Sequence, residues 1–516
     1  MLALDTVVAW MVRYLWLRDA MNRTMQYAPG SGRRSVSVIG QNMTHEERAM
    51  NEFRLLIDGE LVPGTASLDV IDPATEEVIA KAPRADRAQL DEAVAAAKAA
   101  FPGWAARPIR ERGALLVKLA DALEARRDEF ARLLTLEQGK PLSEANWEIG
   151  FSIDIIRQHA TLDLPDKILK EDATQKIVQQ HVPLGVVAAI VPWNFPMLLL
   201  VIKVAPALLA GDTLVAKPAP TTPLTTLAFG EICSGILPAG VINIVVDHND
   251  LGDALSGHDD VAKVAFTGST ATGKKVMGSA AGTLKRLTLE LGGNDPAIVL
   301  DDVDPVEVAP KLLVAAMMNA GQICLGAKRL YVHDSQYDQI CEELGRLARE
   351  LVVNDGLKQG TQMGPLQNKA QFEKVKGFLE DARRNGKIVV GGEVLDRKGY
   401  FIQPTIVRDI PDNARLVKEE QFGPIVPVLR YSDLDDAIAR ANDSEYGLGG
   451  TVWGKDLDRA FRVAARIESG IVWINRFLDV SPDVPLGGAK QSGIGAELGQ
   501  EGLEAYTQLK IINMAK

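Results

Sequence analysis

The sequence predicts an α/β fold in which a doubly wound parallel sheet is followed by a second α/β domain. From residue 186 onward, short runs of β-branched and other apolar residues alternate with helical stretches. Fully apolar strands joined by crossover helices are typical of a parallel sheet covered on both faces. A second alternation begins near Asp295, and 516 residues are too many for one compact core. We therefore expect two or three domains of ordinary size.

The first alternation predicts the elements of the first sheet in order. Strands are expected at residues 186–191, 213–217, 241–246, 261–266 and 286–291, and helices near 197–210 and 223–234. Ahead of them, residues 90–129 are rich in alanine, leucine, arginine and glutamate. Pro102 and Pro108 are expected to divide this stretch into two helices.

The second alternation predicts further strands and one helix that leads to a functional loop. The strands are expected at residues 329–333, 387–390 and 449–453, and the helix at about 305–319. Between the helix-rich stretch and the first sheet, residues 166–182 are polar with alternating apolar residues. The long uncharged run that includes residues 182–202 contains three prolines, so we expect a strand, a turn and a helix there and not a membrane span.

Composition restricts the classes of partner. The net charge is −11 and no basic stretch exceeds a dipeptide, which argues against nucleic acid or an anionic membrane surface and favours a small metabolite. Three cysteines without a close pair cannot form a disulfide framework, and six scattered histidines show no metal-ligand spacing. We therefore expect a cytoplasmic protein without a metal site.

Residues 1–50 differ from the rest of the chain. They contain Trp10, Trp16 and a Gly/Ser/Arg stretch at 29–34, and charged residues interrupt their apolar run. Met43 begins a sequence that looks like an ordinary N-terminus. We expect an N-terminal extension that is disordered or not translated; the alternative is an amphipathic helix that contacts a partner or a membrane.

Three short runs supply a thiol, a carboxylate and an amide. Cys324 lies in NAGQICLGAKR (319–329), Glu290 in LELGG (289–293) and Asn194 in PWNFP (192–196). These are the groups that oxidation of a carbonyl through a covalent thioester requires. Cys233 and Cys341 lie within helical apolar patterns and are expected to be packing residues.

These runs resemble the aldehyde dehydrogenase superfamily, and the likeness extends from about Phe53 to the last residue. Further runs carry the same resemblance: FTGST (266–270), EEQFGP (419–424), and PLGG (485–488) with Lys490, Ser492, Gly493, Gly495 and Tyr506. The resemblance implies a dinucleotide-binding domain of residues 51–164 and 184–291 and a catalytic domain of residues 292–490. It also implies a small β oligomerisation extension, residues 165–183 and 505–516, which pairs between subunits of a homodimer or homotetramer.

The resemblance implies the roles of four catalytic residues. Cys324 attacks the aldehyde carbon, and the amide of Asn194 and the main-chain N–H of Cys324 hold the resulting oxyanion. Glu290 activates the water that hydrolyses the thioester, and a glutamate at this position argues against transfer of the acyl group to coenzyme A. Lys203 matches a lysine close to the active centre, although a surface lysine with a buried stem would look the same in sequence.

The resemblance also implies a dinucleotide site for NAD. Gly268 and Ser269 open a helix after an apolar strand and would face a phosphate, and Trp193 would lie near the pocket floor. The other implied contacts are Lys217 and Glu420 on the two riboses and Phe422 against the nicotinamide. Pro220 stands where many NAD-specific members carry a glutamate that binds the adenosine ribose, so use of NADP stays open.

The expected substrate is a neutral, apolar aldehyde. The residues that line the aldehyde tunnel by resemblance are all aliphatic or aromatic, namely Phe195, Leu199, Ile202, Ile323, Leu325 and Phe477. Alternatively, Arg476 binds a substrate carboxylate and the substrate is a semialdehyde. A binding protein that keeps the fold without turnover is a further alternative, but none of the thiol, the amide and the carboxylate is replaced here.

Overall fold

A computed structural model describes residues 53–516, and the prediction for residues 1–50 lies outside this range. In chain order the strands are β1 (Leu55–Ile57), β2 (Glu60–Val62), β3 (Ala66–Asp72), β4 (Glu77–Arg84), β5 (Lys167–Glu171), β6 (Gln175–Pro183), β7 (Val186–Ile190), β8 (Thr213–Lys217), β9 (Ile242–Ile244), β10 (Val261–Thr267), β11 (Arg286–Glu290), β12 (Pro296–Val299), β13 (Arg329–His333), β14 (Lys387–Val390), β15 (Thr405–Arg408), β16 (Ile425–Tyr431), β17 (Tyr446–Gly447), β18 (Gly449–Trp453), β19 (Ile471–Ile474), β20 (Ala489–Lys490), β21 (Gly493–Ile494) and β22 (Thr507–Ala515). The helices are α1 (Arg87–Ala105), α2 (Ile109–Ala125), α3 (Arg127–Gln138), α4 (Leu142–His159), α5 (Pro196–Ala210), α6 (Leu224–Ser234), α7 (Gly252–Ser256), α8 (Thr270–Ala280), α9 (Pro305–Met317), α10 (Tyr337–Glu350), α11 (Lys369–Asn385), α12 (Arg415–Lys418), α13 (Leu434–Asn442), α14 (Leu457–Ala464) and α15 (Gly499–Glu504).

The first large sheet has eight strands in the order β2-β1-β9-β8-β7-β10-β11-β21. Its five central strands are parallel, and the pairs at its edges are antiparallel. From β7 the chain runs outward through β8 and β9 and then crosses to the other side of β7 to form β10 and β11. Because such crossovers are right-handed, this reversal puts helices on both faces. It also opens a crevice at the carboxyl ends of β7 and β10, where α/β sheets bind ligands.

The second large sheet has seven strands in the order β14-β15-β16-β13-β12-β18-β19, all parallel except β14. The predicted α/β class with two parallel sheets is therefore confirmed. The strands of this sheet span residues 296–474, whereas those of the first sheet come from 55–62, 186–290 and 493–494. The predicted domain boundary near residue 291 stays a prediction, and β21 belongs by pairing to the first sheet.

One predicted helix break is wrong. Pro102 lies inside α1, and only Pro108 separates α1 from α2; a third helix, α3, begins at Arg127. Proline in a helix removes the hydrogen bond to the carbonyl four residues earlier, here that of Lys98. Both residues are exposed, so water can satisfy that carbonyl and the helix continues.

The small β extension forms a three-stranded antiparallel sheet in the order β22-β6-β5. The tail pairs with β6 along its whole length, from Thr507 opposite Pro183 to Ala515 opposite Gln175. The two segments assigned to oligomerisation thus meet within one chain, and their pairing between subunits stays a prediction. No helix within residues 53–516 is both long and apolar enough to cross a bilayer, and no cluster of His, Cys, Asp or Glu in that range could hold a metal ion.

Candidate active site

Three of the predicted motifs lie at the carboxyl edge of the first sheet. PWNFP (192–196) follows β7, the glycine-serine turn at 268–269 follows β10, and LELGG (289–293) spans the end of β11. These strands are neighbours in the order β7-β10-β11, so their carboxyl ends share one edge. The fold therefore brings together segments that lie nearly 100 residues apart in sequence, because a parallel sheet aligns the ends of successive strands.

The nucleophile loop follows α9 through a tight left-handed turn. Asn319 and Ala320 have positive φ angles of 51° and 53°, and Gly321 has a φ of 72°. A Cβ atom at Gly321 would lie 2.2 Å from the carbonyl oxygen of Gly423, so only glycine allows the 419–424 loop to approach this closely. Beyond the turn, Cys324 is partly exposed, whereas its neighbours Ile323 and Leu325 are buried.

The surroundings of Cys324 favour the protonated form of its thiol. Its burial in the protein raises the pKa of the thiol to about 12, and the carboxylates of Glu290, Glu420 and Asp295 act in the same direction. Lys328, four residues downstream, opposes them. The thiol must therefore lose its proton in the course of attack on an electrophile, because the thiolate is the nucleophilic form.

Glu290 stands at the end of β11 with a buried carboxyl group. Its Oε1 atom has no hydrogen-bond partner among the described residues. Burial raises the pKa of Glu290 well above its ordinary value, the negative charge of Glu497 raises it further, and Lys203 lowers it. The strand end packs on the nucleophile, since a Cβ atom at Gly293 would lie 2.4 Å from the carbonyl oxygen of Cys324. A carboxylate with a raised pKa beside a thiol accepts a proton more readily than an ordinary carboxylate does.

A buried ion pair lies next to Glu290. Lys203 Nζ is 2.5 Å from Glu497 Oε1, and both side chains are fully buried. The alternative of Lys203 as a surface residue is therefore wrong, because its ammonium group is compensated inside the protein. Glu497 had no predicted role, although it lies in the glycine-rich tail that carries the family resemblance, between Gly495 and Gly499.

Asn194 is buried against the nucleophile loop. Its side-chain Nδ2 donates to the carbonyl of Gln322 at 3.2 Å, two residues before Cys324. The carbonyl of Asn194 accepts hydrogen bonds from Asn319 Nδ2 at 3.0 Å and from Lys140 Nζ at 2.8 Å. The predicted amide and thiol are thus adjacent, and both ends of Asn194 are fixed by its neighbours.

A charged network on α4 supports these loops, and the sequence did not indicate it. Lys140 Nζ lies 2.5 Å from Glu148 Oε2 in a fully buried pair, and Glu148 Oε1 accepts from the N–H of Met197 at 3.0 Å at the start of α5. Glu144 accepts from the N–H of Asn319 at 3.0 Å, and burial raises the pKa of Glu144 to about 7. Two glutamates at i and i+4 in a helix are a visible pattern, but they usually mark an exposed face.

The residues predicted to bind phosphate and ribose lie along the same edge. Ser269 is the N-cap of α8, and its Oγ atom accepts from the N–H of Thr272 at 3.3 Å. Lys217 ends β8, and its Nζ atom lies 2.6 Å from Asp247 Oδ1. A helix N-terminus and a buried lysine at one sheet edge are a donor set that fits the phosphates and hydroxyls of a dinucleotide. The buried hydroxyl oxygens of Thr221, in the loop after β8, and of Thr267, at the end of β10, have no partner among the described residues.

The remaining cofactor candidates join the two large sheets at this edge. Glu420 Oε1 accepts from the N–H of Gly293 at 2.9 Å. The ring of Phe422 packs edge-on against Trp193, with centroids 5.4 Å apart and planes at 86°. A Cβ atom at Gly268 would lie 2.5 Å from the ring of Phe266, so the backbone is closely packed at this turn. Pro220 is half-buried and supplies no polar side chain in the loop after β8.

The six residues predicted for the substrate pocket differ in exposure. Leu199 and Phe477 are partly exposed, and four are nearly fully buried, namely Phe195, Ile202, Ile323 and Leu325. The ring of Phe195 packs edge-on against Trp147, which the sequence did not indicate, and Lys140 Nζ lies 3.7 Å from the same ring. The side chain of Arg476 is 57% exposed, and its guanidinium group forms an ion pair with Asp479.

Comparisons with known proteins agree with this arrangement. A sequence model described as the aldehyde dehydrogenase family matches residues 62–512. The mitochondrial aldehyde dehydrogenase of Leishmania tarentolae is 41% identical over 474 residues, covering 90% of this chain and 95% of that protein. The NADP(+) succinate-semialdehyde dehydrogenase GabD of Escherichia coli (strain K12) is 40% identical over 471 residues, covering 89% of this chain and 98% of that protein. A solved NAD+ complex of an aldehyde dehydrogenase from Bacillus cereus superposes with a TM-score of 0.89 at 37% identity, covering 92% of this chain and 99% of that one.

Proposed function

The chain belongs to the aldehyde dehydrogenase family, and from this premise we propose that it oxidises a neutral, apolar aldehyde to the carboxylic acid through a thioester on Cys324. It is an NAD(P)-dependent oxidoreductase. One observation carries the proposed mechanism: a partly exposed thiol lies beside the loop that holds Asn194 and under the strand end that holds Glu290.

The proposed reaction starts at Cys324. The thiol passes its proton to the carboxylate of Glu290, which later releases it to solvent, and the sulfur attacks the aldehyde carbon so that the carbonyl oxygen becomes an alkoxide. Asn194 Nδ2 and the main-chain N–H of Cys324 donate to this oxygen, and the Asn194 amide exchanges its bond to Gln322 for this contact. When bound, the oxidised nicotinamide supplies the acceptor for the hydride that leaves the substrate carbon. The product of this step is a thioester.

Glu290 completes the proposed cycle. Its carboxylate takes a proton from water, the resulting hydroxide attacks the thioester carbon, and the C–S bond breaks to release the acid and return the thiol. The raised pKa of Glu290 supports this role because a stronger base accepts a proton from water more readily. Lys203 and Glu497 tune that pKa, one in each direction, and we propose that Lys203 contributes to catalysis through Glu290.

The proposed dinucleotide contacts follow the residues along the sheet edge. We assign Ser269 and the turn at Gly268 to a phosphate, Lys217 and Glu420 to the two riboses, and Phe422 with Trp193 to the nicotinamide end. The N-cap of α8 and the buried lysine support this assignment. The domain division at residues 51–164 with 184–291, against 292–490, is part of the same proposal.

The proposed substrate is neutral because the pocket candidates are aliphatic or aromatic and Arg476 is already paired with Asp479. The second candidate is a semialdehyde, which the similarity to the succinate-semialdehyde dehydrogenase supports. A panel of aliphatic, aromatic and carboxylate-bearing aldehydes, assayed with both dinucleotides, tests the choice. We expect the apolar aldehydes to have the highest kcat/KM. A preference for a carboxylate-bearing aldehyde that is lost in Arg476→Ala would support the second candidate.

We also propose that the subunits assemble into a homodimer or homotetramer in the cytoplasm. The three-stranded sheet exposes a set of apolar side chains about half to solvent, namely Ile168, Leu169, Leu509, Ile511 and Met514. Large apolar side chains exposed on a small sheet are typical of a protein interface. Light scattering coupled to size exclusion measures the subunit count, and a strict monomer at micromolar concentration would contradict the assembly.

A further inference from the structure

Asp247 forms a buried ion pair with the lysine proposed to bind the adenosine ribose. Lys217 ends β8, and Asp247 follows the neighbouring parallel strand β9, so both lie at the carboxyl edge of the sheet. Lys217 Nζ is 2.6 Å from Asp247 Oδ1, and Asp247 Oδ2 accepts from the N–H of Leu251 at 2.8 Å. Lys217 is 4% exposed and Asp247 is fully buried. The carboxylate thus fixes and neutralises the ammonium group from the protein side.

The pair matters because the loop after β8 carries no charge of its own. Pro220 supplies neither a hydrogen-bond acceptor nor a negative charge. Judged from this loop alone, Lys217 would be an uncompensated cation at the ribose, which would attract a 2′-phosphate. Asp247, which lies 30 residues downstream of Lys217, supplies the missing negative charge.

The other charges of this edge do not favour a phosphate either. Asp250 lies in the same loop and pairs with Arg84 at 2.6 Å, and Asp253 stands at the start of α7. Both cations, Lys217 and Arg84, are thus paired with carboxylates of the 247–250 loop. A 2′-phosphate carries about −1.5 to −2 charges at pH 7 and would find no unpaired cation among these groups.

We propose that Asp247 is the residue that makes this enzyme favour NAD over NADP, by holding Lys217 in a neutral pair. The inference rests on the proposed function, since it requires Lys217 to face the adenosine ribose. Asp247 acts through Lys217 and is a positioning residue. In NAD the ribose hydroxyl accepts a hydrogen bond from the ammonium group of Lys217, which keeps N–H donors beyond the one directed at Asp247. In NADP the dianionic phosphate competes with Asp247 for the same ammonium group, and this competition weakens the binding of NADP.

Binding of two cofactor fragments tests the proposal without any turnover. Calorimetric titration with ADP-ribose and with its 2′-phosphate gives a ratio of two affinities for each protein. The wild-type enzyme is expected to bind ADP-ribose about tenfold more tightly or better, the scale of a hydrogen bond to a charged group. Tighter binding of the 2′-phosphate by the wild type would overturn the proposal.

Two substitutions should move this ratio in opposite directions. Asp247→Asn leaves the ammonium uncompensated, so the ratio should shift about 10- to 100-fold toward the 2′-phosphate. Lys217→Met leaves the carboxylate uncompensated and should shift the ratio further toward ADP-ribose. In the double variant the shift toward the 2′-phosphate should disappear, because the cation that would bind this phosphate is gone. A ratio that stays within twofold of wild type in either single variant would overturn the proposal.

Asp250→Asn is the matched control. This carboxylate lies three residues away in the same loop, but its side chain is 49% exposed and pairs with Arg84 at the surface. Its removal should leave the ratio within about twofold, since exposed charges are screened. A shift as large as that of Asp247→Asn would assign the preference to general loop charge and overturn the specific role. If circular dichroism shows that Asp247→Asn does not fold, the affinity ratios of the wild type and of Lys217→Met still test the proposal.

The outcome is separable from that of the proposed function. Aldehyde-dependent formation of reduced dinucleotide by the wild type tests the function alone, whichever dinucleotide is preferred. An enzyme that oxidises aldehydes but keeps its ratio in Asp247→Asn would refute only the inference. A protein with the expected fragment ratios but no aldehyde oxidation would refute only the proposed function.

Discussion

Replacement of Glu290 by glutamine should convert the enzyme into one that turns over once. Glutamine keeps the volume of the buried side chain but cannot deprotonate water, so the thioester on Cys324 should persist. We expect a rapid burst of reduced dinucleotide followed by a steady-state rate about 10²- to 10⁴-fold below that of the wild type.

The burst amplitude follows from the exposure of the three cysteines. Cys324 is partly exposed, whereas Cys233 and Cys341 are fully buried within helices. The amplitude should therefore be one reduced dinucleotide per subunit. It depends on the number of reactive thiols and not on the rate at which each thiol is deprotonated.

The variant should also keep its fold at alkaline pH. Because the pKa of Glu290 is raised in the folded protein, the protonated carboxyl stabilises the fold at low pH. This stabilisation is lost as the pH rises through the folded-state pKa. Glu290→Gln has no such loss, so at pH 8 to 9 its melting temperature should be no lower than that of the wild type.

Stopped-flow absorbance measures the burst, and mass spectrometry of the quenched enzyme locates the acyl group. Cys233→Ser is the matched control and should leave the amplitude at one per subunit. Unchanged steady-state turnover in Glu290→Gln would refute the assigned role of the carboxylate. A full burst with no adduct on Cys324 would refute the thioester itself.

Three further predictions concern the groups around the thiol. Asn194→Ala should lower kcat by about 10²- to 10³-fold with the dinucleotide KM little changed, and an effect on KM alone in steady-state kinetics would count against the oxyanion role. Glu497→Gln removes a negative neighbour of Glu290 and leaves the cation of Lys203, so the pKa of Glu290 should fall and the acidic limb of the pH profile of kcat should move to lower pH. An acidic limb that does not move would contradict the coupling between Glu497 and Glu290. Lys140→Met leaves Glu148 as an unpaired buried charge and should lower the free energy of unfolding by about 3–5 kcal/mol in urea titrations, and a loss below about 1 kcal/mol would contradict it.

Local sequence patterns predicted most elements that position the site. The apolar runs of β7 and β8 are completely buried, and such runs identify parallel strands without further information. The exception was Pro102, because proline indicates a helix break only where the lost hydrogen bond cannot be replaced by water. The motif around Cys324 was also readable, since nucleophile, glycine turn and flanking apolar residues are consecutive.

The charges that surround the catalytic residues were not readable. Lys203 and Glu497 are 294 residues apart, and Lys217 and Asp247 belong to different strands. A buried charge needs a partner, but neither charge of such a pair carries a local pattern that names the other. No local pattern indicates the hydrogen bond between Lys140 and the carbonyl of Asn194 either.

The sequence by itself determined the fold class, the family and the identity of the thiol, carboxylate and amide, because strand periodicity and consecutive motifs are properties of neighbouring residues. Only the tertiary structure decided which distant groups compensate Lys203 and Lys217 and how α4 supports Asn194. The physical reason is that burial makes a charge depend on whatever the fold places within a few ångströms of it, and that distance is set by the packing of strands and helices from different parts of the chain.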